Sequence, residues 1–248
     1  MRLDWLTVRP IAHRGLHDAA AAGIVENTAA AFEAAIAGNY GIECDVQLSA
    51  DGEAMVHHDD ALGRLTEGHA RLIDLTRAEI QRVPFKGMTA RIMTLGELCD
   101  LVAGRVPLVV EIKSGFDGDI RLAARTAEVL RGYAGPAAAM SFDPDPVIFL
   151  ARTASALPRG MVAERHYDHD EWQALSSAKR RRLALFLHAP QSRPNFVAYS
   201  VRDLPALAPL AARYVFGLPL LTWTVRSTAD RAKAARFADQ MIFEGFRP

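Results

Sequence analysis

Short apolar runs alternate with segments of helical period along almost the whole chain. The spacing predicts strands at Pro10–His13, Gly41–Gln47, Ala54–His58, Pro107–Ile112 and Ala137–Ser141. Further strands are expected at Gly160–Glu164, Asn195–Ser200, Pro219–Thr224 and Gln240–Phe243. Between them, apolar residues recurring every three to four positions predict helices at Thr28–Ala37, Leu95–Val102, Ile120–Arg131 and Pro144–Ala154. Helices are also expected at Glu171–Lys179, Leu204–Arg213 and Thr228–Ala238. Strand and helix in alternation argue for parallel strands joined by crossover helices.

One pair departs from the alternation. Only Ser49-Ala50-Asp51-Gly52 separates Gly41–Gln47 from Ala54–His58, and Asp-Gly in so short a connection is a hairpin signal. The second of these strands therefore reads as an antiparallel excursion. Setting it aside leaves eight strands in βα repeats, the number that closes a (β/α)8 barrel of TIM type, with a doubly wound open sheet as the alternative. No Pro/Gly/Ser-rich linker interrupts the run, so residues 1–248 are expected to form one domain.

The composition supports that picture and removes several others. A length of 248 residues suits one barrel of about 250 residues. Half of the residues are hydrophobic and 23% are charged, which argues against disorder. Basic and acidic residues balance at 29 each, so the electrostatic footprint of a general nucleic-acid binder is missing. Asp4 stands where a secretory signal would need its apolar run, and no stretch approaches the roughly 18 apolar residues of a membrane span. With only Cys44 and Cys99, both expected as buried thiols, the reading is a cytoplasmic protein without stable membrane association.

The candidate chemistry sits at strand ends. Glu43 and Asp45 are two apart in a strand, so their side chains share a face while Cys44 points into the opposite, apolar layer. Two carboxylates side by side need positive charge between them. Either strand-end arginines supply it, or the pair helps to hold a hard divalent cation, Mg²⁺ or Ca²⁺, which takes several oxygen ligands. Glu111 and Lys113 repeat the period-two spacing at the end of another strand, in a chain with only four lysines. They form a simple ion pair, or Glu111 is a third oxygen ligand and Lys113 faces an anionic substrate. His13-Arg14-Gly15 ends the first strand, and His58-Asp59 follows the hairpin strand. Two histidines beside a cation are what phosphodiester cleavage needs, one to accept the nucleophile's proton and one to protonate the leaving oxygen. An arginine can grip the phosphate with two parallel hydrogen bonds. His17, His57, His69, His166, His169 and His188 are read as structural.

In order, His13-Arg14-Gly15, Glu26-Asn27-Thr28, Glu43-x-Asp45, His58-Asp59 with Leu62, Arg64 and Thr66, and Glu111-x-Lys113 resemble the glycerophosphodiester phosphodiesterase family. Weaker echoes continue in Ser141-Phe142, Thr222-Trp223-Thr224-Val225 and the last strand before Pro248. The resemblance implies a (β/α)8 barrel with one hairpin excursion after the second strand. It implies that His13 and His58 serve as general acid and base, and that Glu43, Asp45 and Glu111 bind one divalent cation. It further implies that Arg14 and Lys113 hold the phosphate, that Glu26 is a site residue supported by Asn27, and that Trp223 lines the pocket. The chain departs from the family in carrying Glu244 where an aspartate before a proline is usual. The modest segment between His58 and Glu111 argues against a large cap, so small glycerophosphodiesters such as glycerophosphocholine or glycerophosphoethanolamine are the expected substrates.

Two other readings compete. A lysophospholipase D acting on lysolipids at a membrane surface would use the basic run Lys179-Arg180-Arg181-Arg182, otherwise a solvated helix end leading into the strand-like Leu183–Leu187. A non-catalytic phosphodiester-binding barrel would normally lack a histidine or a carboxylate of the set, and none is missing here.

Overall fold

The computed structural model describes residues 3–17, 23–169 and 172–248. The described residues form a nine-stranded sheet from β1 (Ile11–Ala12), β2 (Gly41–Leu48), β3 (Ala54–Val56), β4 (Leu108–Ile112) and β5 (Ala137–Ser141), continued by β6 (Arg159–Ala163), β7 (Phe196–Ser200), β8 (Leu220–Val225) and β9 (Gln240–Phe243). Neighbouring strands run parallel in the order β1-β9-β8-β7-β6-β5-β4-β2, and pairing of Ile11 with Gly41 closes the barrel between β1 and β2. Only β3 is antiparallel, with Val46 opposite Val56 and Leu48 opposite Ala54. Its turn closes through Gly52 N–H to the Ser49 carbonyl, with Gly52 at φ +82°, where a side chain would be strained. The hairpin excursion is therefore as expected, and the open-sheet alternative falls.

Period two sorts the side chains. Val109, Ala138, Met140, Val162, Phe196, Ala198, Leu221 and Ile242 fill the barrel, and Leu6 of the short helix α1 (Asp4–Thr7), with Leu3 just before it, closes its amino-terminal end. The alternate residues Ile42, Cys44, Val46, Leu108 and Val110 face outward against α2 (Ala29–Ala37), α4 (Leu95–Val102) and α5 (Arg121–Arg131). Between β3 and α4 lies α3 (Arg77–Ile80) with a satellite core of Met55, Leu62, Leu72, Ile80, Phe85 and Ile92. Burying each large aliphatic side chain contributes about 1.5–3 kcal/mol, so the outer layer carries most of the driving force. The remaining helices are α6 (Pro144–Thr153), α7 (Ser177–Ala184), α8 (Ala189–Ser192), α9 (Leu207–Tyr214) and α10 (Thr228–Phe237). Side-chain caps start several of them: Thr28 accepts from Ala31 N–H, Thr94 and Glu97 form a reciprocal capping box, and Asp143 accepts from Asp145 N–H.

Three expectations shift. The helix expected at Glu171–Lys179 starts on a residue outside those described, and the observed helix is α7, which begins after its cap Ser176 and takes in the whole Lys179–Arg182 run. Leu183–Leu187 is not a strand: Leu185 N–H bonds back to the Arg181 carbonyl, and Phe186 turns the chain at φ +51°. The helix expected from Leu204 begins at Leu207, because the residue before Pro205 is pushed to an extended conformation (ψ 140°). Cys44 and Cys99 are buried free thiols. Among the described residues no helix is long and apolar enough to cross a membrane.

Candidate active site

The carboxyl ends of the strands gather the chemistry. Glu43 and Asp45 project inward from β2 and Glu111 from the neighbouring β4, with Asp45 and Glu111 in register. One oxygen from each of the three lies within 4.8 Å of the others. The positive charge that the acids require comes from two side chains. Lys113 Nζ lies 2.8 Å from Asp45 Oδ1 and 2.6 Å from Glu111 Oε1, and Arg14 Nε lies 3.1 Å from Asp45 Oδ2. Asn27 Nδ2 donates to the same Asp45 oxygen at 3.0 Å. Both expected ion pairings are thus present, around a cluster still short of positive charge.

That shortfall falls on Glu43. Burial disfavours its charge, Asp45 and Glu111 add repulsion, and Arg14 and Lys113 offset only part, so its carboxyl is held well above the usual range. Asp45 is equally buried, yet Lys113 and Arg14 outweigh that burial and hold it well below the usual range. Glu43 Oε2 accepts from Arg14 N–H at 3.1 Å, whereas its buried Oε1 has no hydrogen-bond partner among the described residues. An all-oxygen donor set with one unused buried oxygen fits a hard divalent cation.

The His13-Arg14-Gly15 turn is built by its neighbours. Gly15 has φ +82°, and a Cβ there would stand 2.8 Å from the Ala31 backbone at the start of α2. Arg14 and Asn27 also adopt left-handed conformations, φ 55° each, tied by Asn27 N–H to the Arg14 carbonyl. A left-handed arginine costs on the order of 1–2 kcal/mol. The turn brings the His13 ring between Glu244 and Glu43, with Nδ1 2.5 Å from Glu244 Oε2 and Nε2 3.9 Å from Glu43 Oε2. Since a carboxylate only accepts, Nδ1 carries the proton and Nε2 is left as acceptor. Burial, then Arg14, lowers the His13 pKa to about 4 despite Glu244, so the ring is neutral at pH 7.

His58 is held in the same manner, with Nδ1 donating to Asp59 at 2.8 Å. Asp59 accepts from Arg64, Arg64 donates to Glu26, and Glu26 accepts from Arg14 at 2.8 Å. A chain of alternating charges thereby links the two histidine regions. Burial opposes ionisation of Glu26, but Arg64 and Arg14 hold it ionised, below the usual range. Glu26 lies outside the acid triad and off the cavity wall, where it anchors two guanidinium groups. Of the other expected residues, His13, Arg14, Glu43, His58, Glu111, Lys113 and Trp223 line one cavity of about 400 Å³, and Asp45 lies buried behind its wall.

Sequence reasoning missed part of this cavity. Glu244 is a hydrogen-bond partner of His13 and is itself bridged by Arg226 at 2.9 Å. The opposite wall is aromatic: Phe116, Phe142, Trp172 and Trp223 line the cavity together with Glu164, which Trp172 contacts. His169, expected to be structural, lines the cavity too, with Nε2 3.9 Å from Glu164, and Glu164, Asp168 and His169 form a second cluster of possible ligands. The only available signals were the Ser141-Phe142 and Trp223 echoes at two strand ends.

A TIM-type barrel whose carboxyl-terminal mouth joins an acid triad to two anchored histidines defines the class of this protein. Residues 13–246 match the glycerophosphoryl diester phosphodiesterase family, and the chain belongs to that family. A glycerophosphodiester phosphodiesterase of Caldanaerobacter subterraneus subsp. tengcongensis is 41% identical over 114 residues, 43% of this chain and 45% of that protein. Human glycerophosphodiester phosphodiesterase 1 is 41% identical over 78 residues, 31% of this chain and 22% of that protein. The chain thus spans under half the length of these curated relatives. Among solved structures, an Oleispira antarctica phosphodiesterase in complex with the product sn-glycerol-3-phosphate superposes with TM-score 0.77 at 21% identity, covering 98% of this chain and 94% of that one. A glycerophosphodiester phosphodiesterase of Thermotoga maritima gives TM-score 0.71 at 23% identity over 94% and 92% of the two chains. At these identities the structures show a shared fold.

Proposed function

We propose that this chain hydrolyses small glycerophosphodiesters to glycerol 3-phosphate and an alcohol, with one divalent cation, Mg²⁺ or Ca²⁺, at Glu43, Asp45 and Glu111. The observation that carries the reading is the meeting, in one cavity, of that triad with two histidines each anchored through Nδ1 by a carboxylate. Family membership supports the reaction class, and the Oleispira structure supports glycerol 3-phosphate as product. We further take residues 1–248 as one domain.

A bound cation would supply Lewis-acid polarisation of the phosphate and offset the negative charge of the triad. The side chains do the rest. Arg14 and Lys113 place positive charge beside the anion and stabilise charge that shifts onto its oxygens in the transition state. His13, neutral and with Nε2 free to accept, takes the proton of the attacking water or substrate hydroxyl. Glu244 keeps the ring in the required tautomer and favours the imidazolium that forms, as the orienting acid of a catalytic triad does. His58, steadied by Asp59, returns a proton to the departing alkoxide.

Lysolipid hydrolysis at a membrane finds less support. Its basic run lies within α7, where Lys179 is held over the Phe116 ring and Arg180 donates to the Leu175 and Tyr167 carbonyls, and the exposed Leu185 and Leu187 follow the helix's carboxyl end. The deciding assay is release of glycerol 3-phosphate from glycerophosphocholine with Mg²⁺, with Ca²⁺ and with EDTA. Metal-dependent release is expected, and no release with either ion would remove the proposal.

A further inference from the structure

The aromatic wall has no part in the chemistry above. Phe142 stands at its centre, with ring centroids 4.8 Å from Trp172, 5.3 Å from Trp223 and 6.5 Å from Tyr167. Among these rings, Glu164 is only 3% exposed and lines the cavity. Its Oε1 accepts from Trp172 Nε1 at 2.5 Å, and Oε2 is 3.9 Å from the exposed imidazole of His169. Burial pushes the Glu164 carboxyl up, His169 and Trp172 oppose this only in part, and Asp203 and Asp168 reinforce it. A buried carboxylate with one neutral donor among the described residues is short of positive charge.

The nearby cations are already engaged. Lys179 Nζ sits 4.7 Å over the Phe116 ring and reaches the Phe116 carbonyl, so one face of that ring carries a cation of the protein's own. Arg226 is paired twice with Glu244. What is left is Phe142, Trp172 and Trp223 on the wall that also carries Glu164, with the exposed His169 at its edge. Aromatic faces attract cations, most usefully those that need no hydrogen-bond acceptors. A quaternary ammonium meets that condition, because its methyl groups pack on rings while its charge faces the carboxylate. A primary ammonium would find Glu164 as an acceptor here but would leave its remaining N–H groups against rings.

The position also fits. A second depression of about 700 Å³ shares His58, Lys113, Ser114 and Gly115 with the first, and is lined by Asp60, Arg64, Arg71, Asp117 and Asp119. A phosphate at Lys113 would stand where the two open together, with a polar groove for hydroxyl groups on one side and the aromatic wall on the other.

We infer that Phe142, Trp172, Trp223 and Glu164 form a head-group site for a quaternary ammonium of the choline class, so that glycerophosphocholine is preferred over diesters with neutral head groups. This rests on the phosphodiesterase reading for its substrate, but the site itself can be tested without turnover. Tryptophan fluorescence should be titrated with choline and with its neutral isostere 3,3-dimethylbutan-1-ol. Choline should bind about tenfold more tightly or better, and Glu164→Gln and the volume-conserving Phe142→Leu should each remove most of that difference. In turnover, the kcat/KM ratio of glycerophosphocholine to glycerophosphoglycerol should fall about tenfold in either variant. Equal binding of the charged and neutral ligands would overturn the inference. So would equal slowing of both diesters in Glu164→Gln, which would make Glu164 a holder of the shared glycerol. If the parent hydrolyses neither diester, the phosphodiesterase reading fails while the choline titration still decides the site.

Discussion

The two sides of the barrel mouth meet the same problem, a buried carboxylate, in opposite ways. Around the ends of β1, β2, β3, β4 and β9, Asp45, Glu111, Glu26, Asp59 and Glu244 are each paired with lysine, arginine or histidine, and one oxygen of Glu43 is left over. At the ends of β5, β6 and β8, the rings pack edge to face and Glu164 has, among the described residues, one indole donor. The first side is arranged to manage a highly charged group. The second suits a diffuse cation or an apolar body. A reaction that breaks a charged ester and releases an alcohol needs both environments, a short distance apart.

The largest test of that contrast is removal of a proton carrier. His13→Ala and His58→Ala should each lower kcat by about 10²–10⁴-fold, the range for acid–base loss, while Phe142→Leu should act mainly through KM. Steady-state release of glycerol 3-phosphate measures both, and near-parent turnover in either histidine variant would break the assignment. EDTA should abolish turnover to a similar extent, and restoration by Mg²⁺ or Ca²⁺ should depend on Glu43.

The charged side was largely legible from sequence because its geometry is local. Period two alone puts Glu43 with Asp45 and Glu111 with Lys113, and parallel neighbours in register bring the pairs together. The eight-strand count and the Asp-Gly hairpin were legible for the same reason. Of the aromatic side only Trp223, in β8, was expected; Phe116 and Phe142 follow β4 and β5, and Glu164 and Trp172 lie in the connection after β6, whose course no periodicity fixes. Glu244 was visible as a departure from its family's usual aspartate, but its contact with His13 spans 231 residues of separation. Leu183–Leu187 misled because a short apolar run reads alike as a strand or as a helix end.

Glu244 supplies a smaller test. Glutamine at this position keeps a hydrogen-bond acceptor for His13 Nδ1 but loses the charge that favours the imidazolium. Glu244→Gln should therefore cost about tenfold in kcat, with KM little changed and partial recovery in Glu244→Asp. An unchanged kcat would make this contact a structural prop. On the triad, Glu43→Gln should do the reverse of most substitutions: in EDTA it should stabilise the fold by about 0.5–2 kcal/mol, because it removes one of three mutually repelling buried charges. Thermal unfolding decides this, and a loss of stability would mean that Lys113 and Arg14 already balance the cluster.

The smallest effect belongs to Glu164, whose carboxyl, like that of Glu43, is pushed up by burial. A carboxyl whose pKa is raised on folding binds its proton more tightly in the native state. Native stability from this group is therefore present below the unfolded value of about 4.3 and is lost as pH rises through the raised folded value. Burial is the cause of that rise, and the carboxylates of Asp203 and Asp168 add to it. The parent should thus lose stability relative to Glu164→Gln as pH climbs above that unfolded value. Urea titrations of both proteins at a series of pH values measure the difference. Saturating choline should shrink it at neutral pH, since a cation beside Glu164 favours the ionised form that burial penalises. A difference that grows with choline would place the ligand elsewhere and leave Glu164 as an acid tied only to Trp172.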